Sequence, residues 1–208
     1  MPLLAITQRV DVIARPNGNI ERRDALDQSW LRFLAAAGFW AAPLPNRLPT
    51  ALALFTLLPI SGLILTGGND LLPYGGDAPE RDATEAALLD AARARRLPVI
   101  GVCRGMQLLQ RAHGVVLTPV EGHISGEQQL TLDGEIRMVN SYHRWGSRSS
   151  SPELSVCAQA DDGVVKAIRH VVEPLSGIMW HPERLAPFAD EDLQLFRDWL
   201  TPAKELTA

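Results

Sequence analysis

Along the first half of the chain, short continuous apolar runs alternate with stretches whose apolar positions recur every three or four residues. Leu3 to Ile6 is such a run, ending in the polar Thr7, Gln8 and Arg9, and it predicts a short buried strand. From Asp24 to Ala37 the positions Leu26, Trp30, Phe33, Leu34 and Ala37 have helical spacing, with Asp24 as the cap and Gly38 as the stop. Phe39 to Leu44 predicts a second strand, and Thr50 to Leu58 a short buried helix that Pro59 ends. Gly62 to Thr66 reads as a central strand running into Gly67-Gly68-Asn69-Asp70. Pro79 to Arg96 predicts a long helix, with Glu80 and Asp82 near its start and arginines near its end, as the helix dipole favours. A further strand, Leu97 to Ile100, then passes through Gly101 into a helix that Gly114 closes.

This strand-helix alternation implies an α/β fold with a parallel sheet covered on both faces. From Val115 the texture changes to short β-type runs at 129–132, 136–139, 154–158, 164–168 and 177–180. Asp161-Asp162-Gly163 marks a hairpin between two of them. These runs are expected to extend the same sheet as a β-rich C-terminal extension, and a last helix is expected from about Asp190 to Leu200. No repeat, low-complexity segment or linker interrupts the chain, so residues 1–208 are expected to form a single domain.

Composition narrows the function. The formal net charge is −4 and no long basic run occurs, which argues against nucleic acid or an anionic membrane as partner. Two cysteines, Cys103 and Cys157, make no disulfide framework, and no cluster has zinc-ligand spacing along the chain. There is no signal-peptide core and no bilayer-length apolar segment, and a reducing cytoplasm is the expected compartment. The sequence leaves oligomeric state open, a homo-oligomer included.

Gly101-Val102-Cys103-Arg104-Gly105 has the form Gly-x-nucleophile-x-Gly at a strand-to-helix junction, with cysteine at the centre. Small residues two before and two after allow a sharp turn that lifts the side chain above the sheet edge. The first amides of the next helix then face the same place, where they favour thiolate and can hold an oxyanion. By itself the pentapeptide is equally readable as a buried cysteine at a tight turn. A nucleophile also needs a base and a group that orients the base, and His181-Pro182-Glu183 supplies both types at the end of an apolar strand. Gly67-Gly68, at the end of another strand, can provide unobstructed amides or be an ordinary turn. In open α/β sheets ligands bind outside the carboxyl ends of the strands, so these three pieces are expected to meet.

Gly-Val-Cys-Arg-Gly-Met-Gln, with Gly-Gly upstream and His-Pro-Glu near the end, resembles the class I glutamine amidotransferase superfamily. Arginine directly after the cysteine resembles its γ-glutamyl hydrolase branch. The resemblance covers most of the chain and implies a flavodoxin-like, mostly parallel central sheet with helices on both faces. It implies Cys103 as nucleophile, His181 as general base and acid, and Glu183 as the orienting carboxylate, with the Gly68 and Arg104 amides as the oxyanion hole. It further implies a small-molecule γ-glutamyl substrate held by Gly67, by Gln107, and by Asn140, Ser141, Tyr142, His143 and Arg144 of a loop that meets the α-carboxylate. Gln107 could equally cap its own turn, and Tyr142 and Trp145 could pack a loop on the core. His123 is a weaker pocket candidate and His113 is expected to be structural. Neither metal nor organic cofactor is implied. The short length, Ile6-Thr7-Gln8-Arg9, Leu65 to Leu71 and Asn140 to His143 look closer to a smaller branch that removes glutamate from γ-glutamyl-CDP-amidate. The alternatives are a γ-glutamyl-γ-aminobutyrate hydrolase, a glutaminase subunit delivering ammonia to a synthase partner, and a non-catalytic binding module.

Overall fold

The structure is a computed structural model and describes residues 1–201; residues 202–208 of the expected single domain lie outside the described residues. The chain opens with strands β1 (Leu3–Ile6), β2 (Arg9–Ala14) and β3 (Ile20–Ala25), helix α1 (Gln28–Ala37), strand β4 (Trp40–Pro43) and helix α2 (Leu48–Leu57). It continues through β5 (Ile60–Leu65), α3 (Pro79–Ala94), β6 (Val99–Val102) and α4 (Arg104–Ala112). The β-rich part comprises β7 (Thr118–Pro119), β8 (Ile124–Leu132), β9 (Glu135–Tyr142), β10 (Trp145–Gly146), β11 (Leu154–Ala160), β12 (Val165–His170) and β13 (Leu175–Ile178). Helix α5 (Asp190–Leu200) closes the described chain.

Nine strands form one sheet in the order β4-β1-β5-β6-β13-β12-β11-β8-β9. From β4 to β13 all neighbours are parallel, and β12, β11, β8 and β9 extend that sheet antiparallel. Alternate residues of the central strands face opposite layers, as strand geometry requires. Leu4, Ile6, Ile64, Ile100 and Val102 pack with Trp30 and Phe33 of α1 and Phe196 of α5, where the Phe33 and Phe196 rings meet edge-on at 4.8 Å. Ala5, Leu63, Leu65 and Val99 face the other way, against Phe55 of α2, Leu88 and Leu89 of α3 and Met106 of α4. The expected two-faced α/β architecture is therefore present, with the β-rich half continuing the same sheet.

Two local expectations are corrected. The helix read from Asp24 begins instead at Gln28, capped by Asp27, whose side chain accepts from the Ser29 amide. Residues 9–25 form an antiparallel hairpin of β2 and β3, in which Asp24 accepts from the backbone and side-chain amides of Asn46. That hairpin exposes most of its side chains, so no apolar stripe announces it. The second correction concerns Asn140 to Trp145, read as a loop. Asn140, Ser141 and Tyr142 end strand β9, and only His143 and Arg144 separate it from β10.

Candidate active site

Cys103 sits one residue beyond β6, with φ 52° and ψ −103°, a backbone combination that side chains rarely occupy. The conformation is held from both sides. Its amide donates to the Ile178 carbonyl at 2.7 Å, and its carbonyl accepts the Gln107 amide at 3.0 Å in the first turn of α4. The tight turn depends on the flanking glycines. A Cβ on Gly101 would lie 2.4 Å from the Gly105 carbonyl carbon, and one on Gly105 would lie 2.1 Å from the Leu65 oxygen.

His181 arrives on the adjacent strand. β13 pairs with β6 in parallel, Ile178 opposite Val102, so Trp180 and His181 emerge beside Cys103. Trp180 is anchored by its indole donating to Asp192 of α5 at 3.1 Å. Asn140 brackets the His181 backbone, its amide nitrogen donating to the carbonyl and its oxygen accepting from the N–H, each at 2.8 Å. The imidazole Nδ1 meets the Glu183 carboxylate at 2.9 Å, which leaves Nε2 for the sulfur. His181, Glu183 and Cys103 are all buried.

Gly67 and Gly68 follow β5, which pairs with β6 on its other side. A Cβ at Gly67 would stand 2.6 Å from Cε1 of His181 and 3.5 Å from Cβ of Cys103, so glycine is needed for the close approach. Behind this turn lies a buried charge cluster that the sequence reading did not single out. Arg81 of α3 donates to the carbonyls of Thr66 and Gly67 at 2.8 and 3.0 Å, to the Gly68 carbonyl, and to Glu85 at 2.9 Å. Arg104 pairs in turn with Glu85 and Asp82. Both arginines thus face away from the cleft, and only the Arg104 backbone is available to it. The signal was present in α3: Arg81 and Glu85 fall on the same helical stripe as Leu88, Leu89 and Ala92, where charge is out of place.

A cleft of about 350 Å³ opens above Cys103. Gly68, Gln107, Tyr142, His143 and Arg144 line it, together with Arg184, which the sequence reading passed over. Gln107 donates to the Trp145 carbonyl at 2.9 Å, so its amide orientation is fixed by the opposite wall. Tyr142 is 40% exposed, and the Arg184 guanidinium lies 5.0 Å from its ring centroid. Asn140 and Ser141 do not line the cleft. Asn140 holds the His181 backbone, and Ser141 is enclosed between the His123 carbonyl at 2.9 Å and Lys166 Nζ at 2.9 Å. His123 is likewise buried, stacked behind His143 at 4.9 Å. Trp145 packs on Tyr74.

Charge states follow from these neighbours. Burial disfavours the charged His181 ring, but Cys103 and Glu183 beside it outweigh that and raise its pKa to about 9. His143 goes the other way, to about 3, because burial and the Lys166 ammonium 2.7 Å from its Nε2 both oppose protonation. Lys166 itself is pushed down to about 7 by burial. A raised pKa keeps His181 an imidazolium through neutral pH, with the proton lost as pH rises through about 9. Long-range proton-nitrogen spectra of the ring should show this midpoint, and Cys103→Ala should lower it, while His143 stays neutral down to about pH 3. A His181 that is already neutral at pH 7 in the parent protein contradicts the arrangement.

One further group joins residues distant along the chain. His113, Glu153 and His170 bring ligand-type atoms within 4.8 Å of one another beyond the C-terminal end of α4. The set does not fit a metal ion. His170 Nδ1 accepts the amides of Val172 and Glu173 at 3.0 and 2.8 Å, which places the neutral ring's proton on Nε2 and leaves neither nitrogen free to ligate.

The sequence profile of the family described as Peptidase C26 matches residues 2–133 and 125–183. A γ-glutamyl-CDP-amidate hydrolase of Campylobacter jejuni is 28% identical over 188 residues, covering 89% of this chain and 92% of that protein. A γ-glutamyl-γ-aminobutyrate hydrolase of Escherichia coli O157:H7 is 31% identical over 198 residues, covering 76% and 78%. Among solved structures, a putative GMP synthase protein from Thermoplasma acidophilum shares the fold, with a TM-score of 0.67 at 17% identity over 95% of this chain and 92% of that one. With an elbow cysteine, a histidine and a carboxylate at adjoining strand ends, and a profile that spans most of its length, the chain belongs to the peptidase C26 family and is a hydrolase.

Proposed function

We propose that the protein is a cysteine-dependent γ-glutamyl hydrolase whose substrate is γ-glutamyl-CDP-amidate. The observation that carries the reaction type is the His181–Glu183 pair at 2.9 Å, emerging on the strand next to the Cys103 elbow, with Gly67 against both. The Cys103 sulfur attacks the γ-carbonyl, the carbon-oxygen π pair moves onto oxygen, and the Gly68 and Arg104 amides hold that charge. His181 gives its proton to the departing nitrogen as the carbon–nitrogen bond breaks. It then takes a proton from water, which attacks the thioester, and the breaking carbon–sulfur bond leaves its electron pair on sulfur, releasing glutamate and restoring the Cys103–His181 pair. Glu183 keeps the ring oriented and supports its charged form.

Two observations favour an anionic leaving group over ammonia. Arg144 and Arg184 stand at the cleft, and the exposed Tyr142 ring beside Arg184 offers a flat surface for a base. The similar Campylobacter jejuni protein, matched over 92% of its length, is named for that substrate. Glutamate release measured side by side from γ-glutamyl-CDP-amidate, γ-glutamyl-γ-aminobutyrate and glutamine tests the assignment. The expected order of kcat/KM is the order given, with a first step of about 100-fold or more for two charge contacts. Glutamine as the best substrate would replace this reading with a glutaminase that serves a synthase partner, and γ-glutamyl-γ-aminobutyrate as the best would move the specificity to the other relative's.

A further inference from the structure

Arg81 is fully buried and does not itself line the cleft. Apart from Glu85, its guanidinium donates to three successive carbonyls of one turn, Thr66, Gly67 and Gly68, and to the side-chain oxygens of Thr66 at 3.1 Å and Asn69 at 3.2 Å. In a planar trans peptide the carbonyl and the following N–H point in opposite directions. Holding the Gly67 carbonyl toward α3 therefore turns the Gly68 N–H away from α3, to the side where Gly68 lines the cleft. The same guanidinium reaches Glu85 through Nε, and the second oxygen of Glu85 accepts from Arg104. One carboxylate thus links the side chains that fix two separate backbone amides. Asp82 on Arg104 completes a set of two cations and two carboxylates.

We propose that Arg81 is a positioning residue of the hydrolytic reaction: it aims the Gly68 amide at the oxyanion and, through Glu85, fixes it relative to the Arg104 amide, the other donor. This rests on the γ-glutamyl hydrolase reading. An apolar side chain would fill the same volume without burying charge, whereas only a planar five-donor fork can span Glu85 and three carbonyls together. Lysine keeps the charge and loses the fork.

Arg81→Lys and Glu85→Gln are compared with the parent by three readouts. The first is turnover of whichever of the three γ-glutamyl donors the parent uses best. The second is affinity for glutamate γ-semialdehyde: the Cys103 sulfur bonds to the aldehyde carbon, the carbonyl π pair moves onto oxygen, and the proton of the Cys103–His181 pair stays on His181. The third is the alkylation rate of Cys103 by iodoacetamide, followed on its peptide by mass spectrometry, a reaction that builds no oxyanion. Arg81→Lys is expected to lower kcat about 100-fold with KM within about threefold, and to weaken the aldehyde adduct in step, as removal of an oxyanion donor does. Alkylation should stay within about threefold of the parent. Glu85→Gln should follow the same pattern with a smaller loss, and it decides the matter if Arg81→Lys does not fold. Unchanged kcat, or alkylation falling in proportion to kcat, overturns the proposal. A parent that turns over none of the donors defeats the hydrolase reading instead, and the aldehyde affinities alone then judge Arg81.

Discussion

Cys103→Ala should abolish glutamate release, with kcat falling about a millionfold, the scale seen when a covalent nucleophile is removed from a working triad. No nearby hydroxyl stands in for the sulfur: Ser141 is fully buried outside the cleft and Tyr142 sits at the rim. The fold should survive. Alanine needs no different backbone from cysteine at φ 52°, and the bonds that hold the turn are made by main-chain atoms. The measurement is glutamate release by the parent and the variant with matched circular dichroism, joined by mass spectrometry of the parent mixed with substrate to catch the glutamyl thioester. A variant retaining even a tenth of the parent rate would show that the sulfur is not the attacking atom.

Gly105→Ala should be the most destabilising of the small substitutions near the site. The added methyl would lie 2.1, 2.7 and 2.8 Å from the oxygen, carbonyl carbon and Cβ of Leu65, all on a central strand that is buried on both faces. Neither element can yield cheaply, because β5 is paired on both sides and α4 packs its Met106 into the core. Forced overpacking of this kind costs about 3 kcal/mol or more, a large part of a domain's total stability. Denaturant unfolding should show that loss together with loss of turnover, since moving α4 also moves Cys103 and the Arg104 amide. Gly126→Ala is the control, a glycine on β8 with nothing within 4 Å of the added atom. Equal stability of the two variants would mean that the elbow tolerates a side chain where the geometry says it cannot.

What the sequence made legible, and what it hid, have physical causes. The strands that became β1, β5 and β6 are buried on both faces or nearly so and read as apolar runs, the half-exposed edge strand β4 reads as one because it is Trp-Ala-Ala-Pro, and α1, α3 and α5 carry one apolar stripe each. The elbow and the His-Pro-Glu turn were legible because their chemistry demands particular residues at fixed short spacing. The β2–β3 hairpin was hidden because Ile20 to Ala25 carries mostly polar, exposed side chains and is held by pairing and by Arg22 bonding Glu80 at 2.7 Å. Asn140 was recognised as important but assigned to the ligand, since no sequence pattern tells whether an amide faces a cleft or the backbone of its neighbour. Arg81 and Lys166 were hidden for a related reason. Their role depends on what long-range folding places above them, and in the sequence each is one basic residue among 20.

The parallel pairing of β5, β6 and β13 carries a consequence for how this protein can vary. Gly67-Gly68, Cys103 and His181 each follow the end of one of three adjacent strands whose registers are Leu65 opposite Gly101 and Ile178 opposite Val102. One inserted or deleted residue in any of them would slide an active group by about 3.3 Å and turn it to the opposite face of the sheet. Length changes are therefore closed to these strands. They remain open to the turns of the two hairpins, β2–β3 and β8–β9, which lie at the strand ends away from Arg9 and Tyr142, so the chain can change length there while the strand ends around Cys103 keep a fixed ruler.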